Sequence, residues 1–353
     1  MKELLEPIMI QTDRLRISVL AIGSPSNPPL ILLHGNVSSN LFWRETIRAM
    51  ADNYYLIAPD LRGYGQTEAR PIDASRGLRD WSDDLWALCT AMRIEQPINV
   101  VGWSMGAGVA MQYMIDHPQD VSSLTLVAPM SPFGFGGTKD VEGTPCYPNY
   151  AGSGGGTANP QFVQCIAVQD RGEADENSPR NVMNRFYFRP PFRAEREIEE
   201  LFVEAMLSTR TGIGYYPGSF ETCQQWPGVI PGSDGINNAM SPKYVSLTAI
   251  VEAEPKCPIL WIRGAEDAIV SDQSLFDFGT LGKLGLVPGW PGEDVYPPQP
   301  MVSQMRRLLQ QYQEAGGVYN EIVIEEAGHA PHVEKPERFL TELRRFLSVQ
   351  STK

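Results

Sequence analysis

The chain has 353 residues, 42% of them hydrophobic, and a formal net charge of −13 at neutral pH. That composition supplies a full buried core, and acidity without clustered lysine and arginine argues against nucleic acid or an anionic membrane as partner. No apolar run approaches the ~20 residues of a membrane span, and Met1 to Glu6 is too acidic for a secretory signal.

The five cysteines, 89, 146, 165, 223 and 257, have no metal-ligand spacing. Their odd number reads as reduced thiols in a cytoplasmic setting, although Cys146 and Cys165 flank a glycine-rich stretch and could pair. With four histidines in all, no metal site is expected, and no cofactor.

Strand-like and helical runs alternate from residue 8 to 129, the pattern of a mostly parallel sheet covered on both faces. Leu30 to Leu33 reads as a strand running into His34-Gly35-Asn36-Val37. Tyr55 to Ala58 is the next, followed by Asp60-Leu61-Arg62-Gly63-Tyr64-Gly65. A helix places Trp81, Leu85, Leu88, Cys89 and Met92 on one stripe, which assigns Cys89 to the core. Ile98 to Val101 is a buried strand, Ala107 to His117 a helix that Pro118 ends, and Leu124 to Ala128 a further strand. The alternation then breaks and resumes at Ile259 to Ile262. Helices are expected over Met301 to Ala315 and Pro336 to Ser348, with a strand at Glu321 to Ile324 between them.

Gly102-Trp103-Ser104-Met105-Gly106 stands between the strand and the helix. A serine flanked by glycines at such a junction is the nucleophile-elbow pattern, in which a tight turn pushes Oγ out above the sheet. The serine needs a base, and the base needs an orienting acid. His117 reads as a helix end and His34 as part of a strand-end loop. His329, in Gly328-His329-Ala330-Pro331-His332, is therefore the base, with His332 structural. The acid should fall between serine and histidine in the chain. Asp267, three residues after Gly264 and just before Ile269-Val270, is chosen over Glu266, which reads as a solvated loop carboxylate. The oxyanion hole needs two N–H groups. Met105, after the nucleophile, supplies one, and Asn36 the other, with Gly35 letting the backbone turn toward substrate.

These motifs resemble the α/β-hydrolase fold superfamily. The resemblance covers residues of about 8–130 and 256–350 and includes the Asp60–Gly65 turn and the Gly328–Glu337 histidine loop. It implies a core of residues 1–130 and 256–353, with a cap, 131–255, inserted after the sixth strand. The His34–Arg44 loop is similar to that of haloalkane dehalogenases, whose elbow carries an aspartate. Here position 104 is serine and Met105 replaces their halide-binding tryptophan, so dehalogenation is not expected. By the same likeness the Asn36 side chain would touch substrate.

The cap holds 15 of the 33 aromatic residues, so some of them are expected to line an apolar pocket. Trp103, Phe133, Phe188 and Trp226 join Gly35 as expected substrate contacts. The run Gly152–Gly156 reads as a loose surface loop, and Gly279 to Pro300 as a stretch near the pocket rim. The expected activity is hydrolysis of a small carboxylic ester or lactone by a monomer or homodimer. The alternatives are amide or aminopeptide cleavage, with Glu173, Asp175 and Glu176 holding an amine, C–C bond hydrolysis, cofactor-free haloperoxidation, and a ligand-sensing receptor that keeps the triad.

Overall fold

The computed structural model describes residues 6–350, so the reading of Met1–Glu6 lies, apart from Glu6, outside them. Eight strands form the central sheet: β1 (Ile8–Gln11), β2 (Arg16–Ile22), β3 (Pro29–Leu33), β4 (Tyr55–Pro59), β5 (Ile98–Trp103), β6 (Val121–Val127), β9 (Ile259–Gly264) and β10 (Tyr319–Ile324). A hairpin of β7 (Phe220–Thr222) and β8 (Val229–Pro231) stands apart from it. The order across the sheet is β1-β2-β4-β3-β5-β6-β9-β10. Only β1–β2 and β2–β4 pair antiparallel; every later pair is parallel.

The interior strands are near-continuous apolar runs because both faces are covered. The covering helices are α1 (Arg44–Met50), α2 (Arg79–Ala91), α3 (Met105–Asp116), α9 (Met301–Glu314) and α11 (Pro336–Gln350). The α1 helix packs with α11, and α2 with α3. His117 caps α3 and stacks on Trp86 at 5.9 Å. The Asp60–Gly65 turn is held by its own aspartate, which accepts from the N–H groups of Asn40 (3.1 Å) and Gln66 (3.0 Å). Gly65 has φ 54, and a Cβ there would strike the Asp60 carboxylate.

Between β6 and β9 the chain leaves the sheet. This segment carries α4 (Pro160–Ala167), α5 (Pro179–Val182), α6 (Arg196–Leu207) and α7 (Ile236–Ala239), besides the hairpin. Arg180 is buried in it, bonded to Glu199 at 2.7 Å and Glu200 at 2.8 Å. The glycine run is not the loose loop expected. Gly152, Gly154 and Gly155 are buried, and a Cβ on them would strike Tyr296, Asn238 and the Gly218 carbonyl. Glycine is there because main chains and rings approach too closely for any other residue. Cys146 and Cys165 do not pair; both are free thiols.

The 279–300 stretch, with α8 (Phe278–Lys283) at its start, packs back onto that segment. Tyr296 donates to the Ala151 carbonyl (3.1 Å), and Gln299 donates to that of Gly134 (3.0 Å). Asp277 caps α8, accepting from Thr280 N–H (3.2 Å) and Gln299 N–H (3.1 Å), while its Oδ1 has no partner. Burial pushes its carboxyl up to about 6. A raised acid favours the protonated native state, so this stability is full below about pH 4 and lost as pH rises through about 6. The loss amounts to about 3 kcal/mol for a shift of about two units. Asp277→Asn keeps an acceptor for both N–H groups without the charge. Urea unfolding at about pH 5 and about pH 8 should show a pH-dependent fall in wild type that the variant lacks.

Candidate active site

In a parallel sheet the carboxyl ends of the strands share one edge, and ligand sites form there. Here β3 ends at His34, β5 at Ser104, β9 before Asp267 and β10 before His329. Ser104 sits at φ 56, ψ −118, a left-handed conformation that costs a non-glycine residue of order 1–3 kcal/mol. The turn is tight on both sides. A Cβ on Gly102 would collide with Gly106 and Ala107, and one on Gly106 with the carbonyls of Leu33 and His34. Ser104 N–H donates to Val127 O at 2.9 Å, which ties the turn to β6.

His329 and Asp267 meet. The imidazole Nδ1 lies 2.8 Å from Asp267 Oδ2, and both residues are buried. Asp267 Oδ1 accepts from the N–H groups of Ile269 (2.8 Å) and Val270 (2.9 Å), which aims the other oxygen at the ring. Glu266 is turned to solvent and paired with Arg189 at 2.7 Å. The acid beside the histidine is thus Asp267. Trp103 Nε1–H holds the His329 carbonyl at 2.7 Å. Among the described residues neither Ser104 Oγ nor His329 Nε2 has a hydrogen-bond partner, so both are open to an incoming group. Such contacts commonly tighten only with substrate bound.

The loop that follows β3 lies against Ser104. A Cβ on Gly35 would be 3.1 Å from Ser104 Cβ, so glycine lets this loop approach. The N–H groups of Asn36 and Met105 have no partner among the described residues; that of Met105 is a first-turn donor of α3. His34 sits beneath the loop. Its Nε2 accepts from Leu61 N–H (2.9 Å), so Nδ1 carries the proton and donates to Gly35 O (2.8 Å). Burial lowers His34 to about 4 and keeps it neutral.

The Asn36 side chain is occupied inside the protein. Its Oδ1 accepts from Tyr64 OH (2.8 Å) and Val37 N–H (2.9 Å), and its Nδ2 donates to Asn237 Oδ1 (3.1 Å). Three internal hydrogen bonds thus hold the side chain expected to contact substrate. Two of the expected pocket residues also change role. Trp103 is buried beneath the site, its ring against Phe42, Tyr187, His329 and His332. Phe188 is buried between Phe192 and Phe202. Trp226 packs on Phe278 and Tyr296, and Phe133 lies against Gly143; among the described residues no hydrogen bond or ring contact joins either to the triad. Tyr64, Asn237 and Glu334 have no role assigned from the sequence, although Tyr64 stands inside the Asp60–Gly65 motif, and Tyr187 is there only one of the cap aromatics.

The sheet order, the strained serine and the His329–Asp267 pair decide the fold. This is an α/β-hydrolase-fold protein. The family model for the alpha/beta hydrolase fold matches residues 28–152. Over the whole chain the fold is similar to an esterase from Thermogutta terrifontis, with TM-score 0.59, 19% identity and coverage of 98% of this chain and 99% of that one. It is likewise similar to an esterase from Rhodococcus sp. ECU1013, with TM-score 0.59, 20% identity and coverage of 97% and 98%. Sequence likeness is more local. A 2-hydroxymuconate semialdehyde hydrolase from Pseudomonas sp. strain CF600 is 36% identical over 102 residues, 28% of this chain and 35% of that protein. A magnesium-chelatase 30 kDa subunit from Rhodobacter capsulatus is 34% identical over 100 residues, 28% of this chain and 34% of that one. The chain thus matches about a third of the length of these curated relatives.

His332 stands behind the hydrolase-fold triad in an aromatic box of Trp43 (4.4 Å), Trp103 (5.0 Å) and Phe339 (5.9 Å). Neither ring nitrogen has a partner, and burial, followed by the nearby His329, lowers it to about 3. It stays neutral. Leaving buried polar atoms unpaired costs about 1–3 kcal/mol. His332→Phe is therefore expected to hold or raise the unfolding midpoint in urea; a fall of several kcal/mol would assign His332 a hydrogen bond in solution.

Proposed function

We propose that the protein is a serine hydrolase that cleaves a small carboxylic ester or lactone through an acyl-enzyme on Ser104. The observation that carries this reading is an oriented His329–Asp267 pair at the same sheet edge as a strained serine, with the N–H groups of Asn36 and Met105 free of any partner among the described residues. His329 Nε2 takes the Ser104 proton as Oγ attacks the carbonyl carbon. The N–H groups of Asn36 and Met105 receive the charge that moves to the carbonyl oxygen. Collapse breaks the bond to the leaving group, which takes the proton from His329 and departs. Water then gives a proton to the same nitrogen and attacks the acyl carbon. Breaking the acyl–Oγ bond returns that proton to Ser104 and frees the acid. Asp267 holds the productive tautomer and stabilises the imidazolium in both halves.

Esterases among the fold neighbours are consistent with this chemistry. Of the three carboxylates of the aminopeptidase reading, Glu173 is paired with Arg196 (2.9 Å) and Asp175 accepts from Gln161 (2.8 Å), which leaves Glu176 to hold an amine. The likeness to the semialdehyde hydrolase favours one second reading, a 2-hydroxymuconate semialdehyde-type substrate. Segment 131–255 serves as the cap in either case. A small-molecule substrate, no nucleic-acid or membrane partner, a monomer or homodimer and a cytoplasmic location complete the proposal; among the described residues no helix is long and apolar enough to cross a membrane.

The test is hydrolysis of p-nitrophenyl esters from acetate to dodecanoate, small lactones and the semialdehyde, by wild type and Ser104→Ala in parallel. Ser104→Ala should lower kcat by about 10⁶, and more than a few per cent residual activity would remove Ser104 from the mechanism. Asp267→Asn should lower kcat by about 10⁴ while Glu266→Gln stays near wild type. The reverse order would exchange the two carboxylates.

A further inference from the structure

Tyr187 closes a five-residue π-helical turn, Met183–Tyr187, in the segment between β6 and β9. That turn brings it to the oxyanion loop and the histidine loop at once. Its hydroxyl donates to the carbonyls of Asn36 (3.1 Å) and Val37 (3.2 Å), and its own carbonyl accepts from Ala330 N–H (3.0 Å), next to His329. Its ring stands edge-on to Trp103 at 5.8 Å and to His329 at 6.1 Å. Glu334 extends the seam, accepting from Arg189 N–H (2.6 Å) and Gly328 N–H (2.8 Å).

The hydroxyl bears on a strained point. Val37 is β-branched yet has φ 45, a conformation that persists only where its surroundings over-determine it. The restraints are the Asn36 side chain on Val37 N–H and Tyr187 on the two carbonyls. Removing the phenol oxygen leaves the Asn36–Val37 peptides free to relax toward ordinary φ. The Asn36 N–H, one peptide upstream, would turn with them.

We propose that Tyr187 is a positioning residue for catalysis: a phenol from outside the sheet core that aims the Asn36 N–H at the developing oxyanion while its carbonyl steadies the histidine loop. This rests on the serine-hydrolase reading above. It makes the segment between β6 and β9 part of the catalytic apparatus as well as a cover over it.

The test is Tyr187→Phe, which keeps the ring and removes only the hydroxyl. Two readouts are used: steady-state hydrolysis of p-nitrophenyl acetate, and the rate at which a fluorophosphonate labels Ser104. Losing an oxyanion donor outright costs about 10²–10³ in kcat, so misaiming one should cost about 10- to 100-fold. The expected result is that loss in kcat with KM within about threefold, and a parallel fall in labelling rate, since phosphonylation charges an oxygen in the same hole. Val203→Ala, a buried change in α6 that touches neither loop's hydrogen bonds, reports what destabilisation alone does. Equal losses in Val203→Ala and Tyr187→Phe, or a Tyr187→Phe labelling rate equal to wild type, would overturn the positioning role. Failure of the probe to label Ser104 in wild type would instead overturn the serine-hydrolase reading.

Discussion

The turn at Ser104 is the constraint on which the rest of the site depends. A serine at φ 56 is held there by β5 on one side, α3 on the other, and glycines that leave no room for side chains. The Leu33 and His34 carbonyls lie where a Gly106 Cβ would stand, so the end of β3 and the start of α3 are pressed together. Asn36 follows this strand end and Met105 opens this helix, so one contact sets the places of both residues. The proposed oxyanion hole and the proposed nucleophile are thus two results of one packing requirement.

The electrostatics follow from burial. Water is excluded around His34 and His332, which stay neutral, while His329 faces a buried carboxylate. Each ring has a different task set by its neighbours: His34 orders the oxyanion loop through hydrogen bonds at both nitrogens, and His332 fills an aromatic box. Only His329 has a carboxylate on one nitrogen and an open second one. Asp267 is kept ready by two backbone N–H groups that fix its rotamer before any imidazolium forms.

Much of this was legible in the residues. Strands, being apolar runs between turn signals, appeared within a few positions of their observed ends, and so did the helices α3, α9 and α11. The Gly-Ser-Gly spacing, the single suitable histidine and the acid ahead of Ile269-Val270 are local patterns; the structure joins His329 to Asp267 and sets Ser104 at the same sheet edge. What the chain did not disclose is non-local. Trp103 and Phe188 read as pocket aromatics because composition cannot tell a ring facing a cavity from one facing the core. The glycines at 152, 154 and 155 read as slack because their reason, the proximity of Tyr296, Asn238 and Gly218, lies 63 to 144 residues away in the chain. Tyr187 carried no motif; its position depends on a π-helical turn for which side-chain periodicity has no signature.

The seam between residues 187–189 and the histidine loop has a further consequence, for modularity. Two of its contacts involve backbone groups of the insertion, the Tyr187 carbonyl and the Arg189 N–H, so many side chains could stand there without breaking them. Apart from the Tyr187 hydroxyl, sequence can therefore drift along this stretch while its path stays fixed. A transplanted insertion from another hydrolase would have to reproduce that path, whatever its residues, or the recipient core would lose the outer support of its histidine loop. Exchange of specificity between such proteins is then easier by point changes elsewhere in the segment than by swapping it whole.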